Sequence, residues 1–118
     1  MVLFIAGCKF EISPPIAGTV ESYTLGAQVR QVDLTHDQLS ALDEWFVQHR
    51  TGWSSSSASY VPVVIVRVRH ADSTVSVINV LSTMVVVNSH DGQYVQQLPP
   101  DELAALRRII GLQPGRLG

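Results

Sequence analysis

The chain has 118 residues, of which 46% are hydrophobic and 15% charged, with a formal net charge of −2 at pH 7. That length fits one compact domain and leaves no room for two. Its few, balanced charges supply no basic surface to neutralise a phosphate backbone, so nucleic acid is not an expected partner.

The chain opens with apolar Met1-Val2-Leu3-Phe4 followed by Ile5-Ala6-Gly7-Cys8, and Cys8 is its only cysteine. An aliphatic residue, two small residues and a cysteine resemble the lipobox of bacterial lipoproteins. The resemblance implies that residues 1–7 are the remnant of a signal peptide and that cleavage falls just before Cys8. It also implies that the Cys8 thiol carries a diacylglyceryl group and that the new amino terminus is acylated, palmitate being a typical chain. Cys8 is then the lipidation site and membrane anchor, and the protein faces the periplasm from the bacterial envelope. No Lys or Arg precedes Cys8, so the basic region of such a signal is expected upstream of Met1. The alternative reading is a cytoplasmic structural or assembly domain, phage- or plasmid-borne, in which residues 1–12 form a core strand and Cys8 is a small apolar filler. A lone cysteine forms no internal disulfide and does not discriminate between compartments.

Ser13-Pro14-Pro15, Gly18 and Gly26 interrupt regular structure, so residues 8–26 read as a tether or irregular lead-in, with a short strand candidate at 19–25. The domain proper is expected over 27–112. It begins with a strand near 28–34 and continues into an amphipathic helix over 36–50. Thr35 and Gln38 form a capping-box pair, Leu34 can staple onto Leu39, and Leu39, Leu42, Trp45 and Phe46 share one helical face. Gly52 closes the helix.

Trp53 and Tyr60 flank a serine-rich stretch that reads as a flexible loop. Loops carry function more often than core elements do, so both aromatics are candidate partner-binding residues. From Val61 the pattern turns to strands. Val64, Val66 and Val68 alternate with Ile65, Arg67 and Arg69, so the arginines lie on the opposite face and join the partner-binding candidates. Pro62 suggests that residues 61–69 form a sheet edge, where two copies could associate weakly. Further strands are expected at 74–80, 84–87 and 93–98, the last two joined through an Asp91-Gly92 turn. Pro99-Pro100-Asp101-Glu102 then opens a second helix that buries Leu103, Leu106, Ile109 and Ile110 and stops at Gly111, leaving 113–118 as a flexible tail.

The order of elements predicts an α+β fold: an antiparallel β-meander of four to six strands with two amphipathic helices on one face. His36, His49, His70 and His90 are scattered without zinc-site spacing, and no Cys-x-x-Cys pair, glycine-rich phosphate loop or G-x-S-x-G elbow is present. No catalytic residue, metal or cofactor is therefore assigned. Were chemistry present, the His70–Asp72 and His90–Asp91 turns would be its place. The reading that follows is a small envelope lipoprotein, monomeric or weakly dimeric, whose domain binds or inhibits another protein. It is similar in plan to the small periplasmic immunity or inhibitor lipoproteins that occlude an active site.

Overall fold

A computed structural model describes residues 13–112 of the chain. The Cys8 lipidation site, the first strand of the cytoplasmic alternative and the 113–118 tail lie outside the described residues.

Among the described residues the protein is α+β, with one antiparallel sheet and two helices. The strands are β1 (Pro15–Thr24), β2 (Ala27–Asp33), β3 (Ser54–Ser55), β4 (Val64–His70), β5 (Val75–Val80), β6 (Met84–Ser89) and β7 (Gly92–Gln97). The helices are α1 (His36–Gln48) and α2 (Pro100–Ile109). Among the described residues the sheet has seven strands in the order β2-β1-β4-β5-β6-β7-β3, which corrects the expected four to six. The additional strand is the two-residue β3, paired with Tyr94 and Val95; two serines carry no alternation to read in the sequence. Only β4 to β7 form a meander, because β1 lies between β2 and β4.

Two further expectations are corrected by this topology. Residues 15–24, placed within an irregular lead-in, form a ten-residue interior strand hydrogen-bonded on both sides. The glycine at 18 marks close packing rather than a break. A Cβ there would come within 2.7 Å of the Arg67 carbonyl oxygen and 2.9 Å of Val68 Cγ1, so only glycine lets β1 approach β4 at this point. The 61–69 stretch is not an edge either, since β4 is flanked by β1 and β5. The edges are β2 and β3.

The inner face of the sheet presents Val20, Val66, Val68, Ile78, Val80, Val85 and Val87, one side of each strand's alternation, to Leu39, Leu42, Trp45 and Phe46 of α1 and Leu103 and Leu106 of α2. Each fully buried aliphatic side chain of this kind contributes about 1.5–3 kcal/mol. The two helices do not simply lie side by side on one sheet face: α1 packs along β1 and α2 meets α1. The opposite face is itself partly covered by chain 56–63, described below. At the start of α1, the Thr35 hydroxyl accepts from the Gln38 amide at 3.1 Å and the Gln38 side chain accepts from the Thr35 amide at 2.8 Å. This is the reciprocal cap that the sequence pattern implies. Arg107 donates to the Leu81 carbonyl at 2.7 Å and ties α2 to the β5–β6 turn.

Candidate interaction surface

Side chains pointing away from the core form the outer sheet face. Register places Thr19 beside Arg67, Ala17 beside Arg69 and Glu21 beside Ile65, with Arg67 and Arg69 flanked in turn by Val77 and Val75. Glu21 is only 5% exposed. Its carboxylate accepts from Arg67 Nε at 2.7 Å and from the Tyr23 hydroxyl at 2.7 Å. Burial pushes the Glu21 carboxyl up, but the Tyr23 hydroxyl and the Arg67 guanidinium outweigh it and hold the group below its ordinary value. The Glu21 contact in turn raises Arg67. Arg67 is therefore committed to an internal ion pair, although half of its side chain remains exposed.

Arg69 is exposed and has no ion-pair partner among the described residues. It borders an open groove of about 620 Å³ lined also by Ile16, Thr19, Asp33, His36 and Arg67. The groove thus combines aliphatic side chains with one guanidinium outside any ion pair among the described residues, that of Arg69, and the carboxylate of Asp33.

Trp53 is not an exposed anchor. Its exposure is 0%, its indole N–H donates to the His49 carbonyl, and its ring packs on Phe46 and Trp45 with centroids 6.3 and 6.4 Å away. Gly52, at φ 91°, adopts a left-handed conformation that reverses the chain just after α1 and sends Trp53 back under the helix. A large aromatic so close to an apolar helix end gains more from burial than from solvent.

Tyr60 is half-buried, and its hydroxyl shares a hydrogen bond of 3.0 Å with Ser56 Oγ. The serine-rich stretch is held down rather than loose. Gln93 Nε2 donates to the carbonyls of Ser56 and Ala58 at 3.1 and 2.8 Å. Asn79 Nδ2 donates to the Val61 carbonyl at 3.0 Å, and Asn79 Oδ1 accepts from the Val63 amide at 3.2 Å. Residues 56–63 thus form a strap that crosses from β3 over the outer face back to β4, and Ile65, Asn79 and Val86 are buried on that face.

The two His–Asp turns do not form a site. His70 lies on the inner side with 1% exposure, its Nδ1 2.8 Å from the Ser13 carbonyl and its Nε2 2.7 Å from the Ser76 hydroxyl. Asp72 turns instead to the Thr74 hydroxyl and amide, which hold its carboxyl down at about 2. In the second turn Asp91 accepts from the Ser89 hydroxyl at 2.6 Å and His90 is exposed. His49 has both ring nitrogens occupied as well, by the Trp45 carbonyl at 2.8 Å and Glu102 at 3.0 Å. Among the described residues no group of three or more His, Cys, Asp or Glu is arranged to hold a metal ion, and no helix is long and apolar enough to cross a membrane.

Sequence reasoning passed over Glu21, Tyr23 and Asn79. The alternation of Thr19, Glu21 and Tyr23 against Val20 and Ser22 was the available signal for the first two, but the Arg67 that pairs with Glu21 lies 46 residues away. Comparison of the chain with protein-family models, with curated proteins and with solved structures finds no match.

Proposed function

We propose that this protein is a small bacterial envelope lipoprotein, anchored through Cys8, whose domain binds or inhibits another protein without catalysing a reaction. The observation that carries the reading is Ile5-Ala6-Gly7-Cys8. The described domain lends it a geometry. Five residue steps separate Cys8 from Ser13, a reach of at most about 17 Å. The lipid would hold the domain close to the bilayer with the Ser13 end of β1 nearest. The β1–β2 turn, ten strand residues further on, would stand about 30 Å farther out.

On this reading the partner surface is the outer sheet face, with Arg69 and the groove beside it as the charged contact, Arg67 as its supported neighbour and Tyr60 on the strap. Trp53 has left the list because it is core.

The test is intact-mass analysis of membrane-extracted protein expressed from its full gene. The expected species lacks everything before Cys8 and carries the diacylglyceryl and acyl additions, whereas a Cys8→Ser variant stays unprocessed. An unmodified wild-type species in the soluble fraction overturns the reading and favours the cytoplasmic alternative. One observation speaks for that second reading. Sheet contacts persist to the first described residues, with the Ala71 amide donating to the Pro14 carbonyl at 2.9 Å and His70 reaching Ser13.

A further inference from the structure

The two edges of the sheet are finished differently. At one, β3 pairs with Tyr94 and Val95, and the Ser56 amide continues the ladder by donating to the Gln93 carbonyl at 3.0 Å. At the other, all seven residues of β2 are exposed and nothing among the described residues pairs with its outer side. The Leu34 amide donates to the Gly18 carbonyl at 2.9 Å, which sets the alternation along the strand. Together with the register of β1 and β2, it turns the amide and carbonyl of Val32 and Arg30 toward β1, and those of Gln31 and Asp33 outward. Natural edge strands are commonly guarded by lysine or proline. This one carries neither, its guards being the charges of Arg30 and Asp33 and a bulge at Val29, and Val29 and Val32 are 62% and 45% exposed.

We propose that β2 pairs antiparallel with β2 of a second copy of this chain, joining the two sheets across a two-fold axis. An axis normal to the sheet brings like faces together, so odd-numbered residues meet odd and even meet even. Centring the pair on Val32 sets the two valines side by side on the axis. It places Gln31 opposite Asp33 of the second copy, which lets their outward N–H and C=O groups form reciprocal hydrogen bonds and gives each carboxylate an amide neighbour. Arg30 then faces Leu34, and no like charges stand opposite each other. Centring on Arg30 would instead oppose two guanidinium groups, which is unfavourable. One strand pair buries a small area, so the dimer is weak and concentration-dependent. The proposal stands whether or not Cys8 carries lipid; anchoring both copies in one membrane would raise their local concentration.

Sedimentation velocity on the reduced, unlipidated full chain, from low micromolar to near-millimolar concentration, tests it. The expected result is a shift from monomer toward dimer as concentration rises. Gln31→Pro removes an outward N–H while sparing every hydrogen bond to β1, and should weaken the dimer about tenfold or more. Val32→Lys should do the same by placing two ammonium groups at the axis, and it decides the matter if the proline variant loses its native circular dichroism. Val75→Lys, on the outer face of β5, should leave dimerisation unchanged. A chain that stays monomeric throughout, or a dimer indifferent to a folded Gln31→Pro or Val32→Lys protein, overturns the proposal.

Discussion

The two faces of the sheet are held by different physics. The inner face is close-packed hydrocarbon, with six valines and one isoleucine of the sheet meeting two helices in one cluster. Its strength is the sum of many non-directional contacts. The outer face is held by a few directed hydrogen bonds, from Gln93 and Asn79 to the 56–63 strap and from Arg67 and Tyr23 to Glu21. Each bond contributes modestly on balance, but a buried partner left unsatisfied is costly. The inner face therefore specifies that the chain folds. The outer face fixes which polar groups are held and which are left exposed.

Three substitutions break or sharpen this contrast. Trp53→Ala should be the most damaging, because it empties an indole-sized volume between α1 and the sheet; a loss of about 3–5 kcal/mol in urea unfolding is expected. A cost below that of an exposed residue would return Trp53 to the surface. Asn79→Ala removes two of the four side-chain hydrogen bonds that hold the strap to the sheet and should cost about 1–2 kcal/mol. Its more telling signature is proteolysis within 56–63 while the core remains folded. If the strap stays as resistant as in the wild type, the Asn79 hydrogen bonds do not secure it.

The third substitution tests a position outside both faces. Leu25, at the β1–β2 turn, combines φ 53° with complete exposure, a left-handed conformation that penalises a branched aliphatic residue. Leu25→Asn should raise stability by about 1 kcal/mol, seen as a higher unfolding midpoint with an unchanged denaturant slope. A destabilised variant would mean that the leucine makes a contact the fold does not display.

Legibility in the sequence followed the range of the interaction. Helix α1 was readable in detail, from the Thr35–Gln38 cap to the Leu39, Leu42, Trp45 and Phe46 face, because all its determinants lie within a few residues of one another. The valine alternation at 64, 66 and 68 was readable for the same reason. β1 was obscured because Pro15 and Gly18 carry the local chemistry of a break, whereas in the fold proline starts the strand and glycine admits the neighbouring backbone. At the candidate surface, Arg67 and Arg69 were correctly placed on the face away from the valines, yet the difference between them was invisible. Arg67 is tied to Glu21 across the β1–β4 pairing and Arg69 is not.

What the sequence alone determined, then, is the α+β character, the two amphipathic helices and their buried stripes, and the facing of side chains along β4. These follow from periodicities of 3.6 and 2 that need no knowledge of distant neighbours. Only the tertiary structure decided that β1 enters between β2 and β4, that Trp53 is core, that the serine-rich stretch is a strap and that β2 is the open edge. Each depends on which segments far apart in the chain come to lie side by side. That choice is made by the joint burial of the whole apolar face and the pairing of backbone groups across it, and no short stretch of sequence records it.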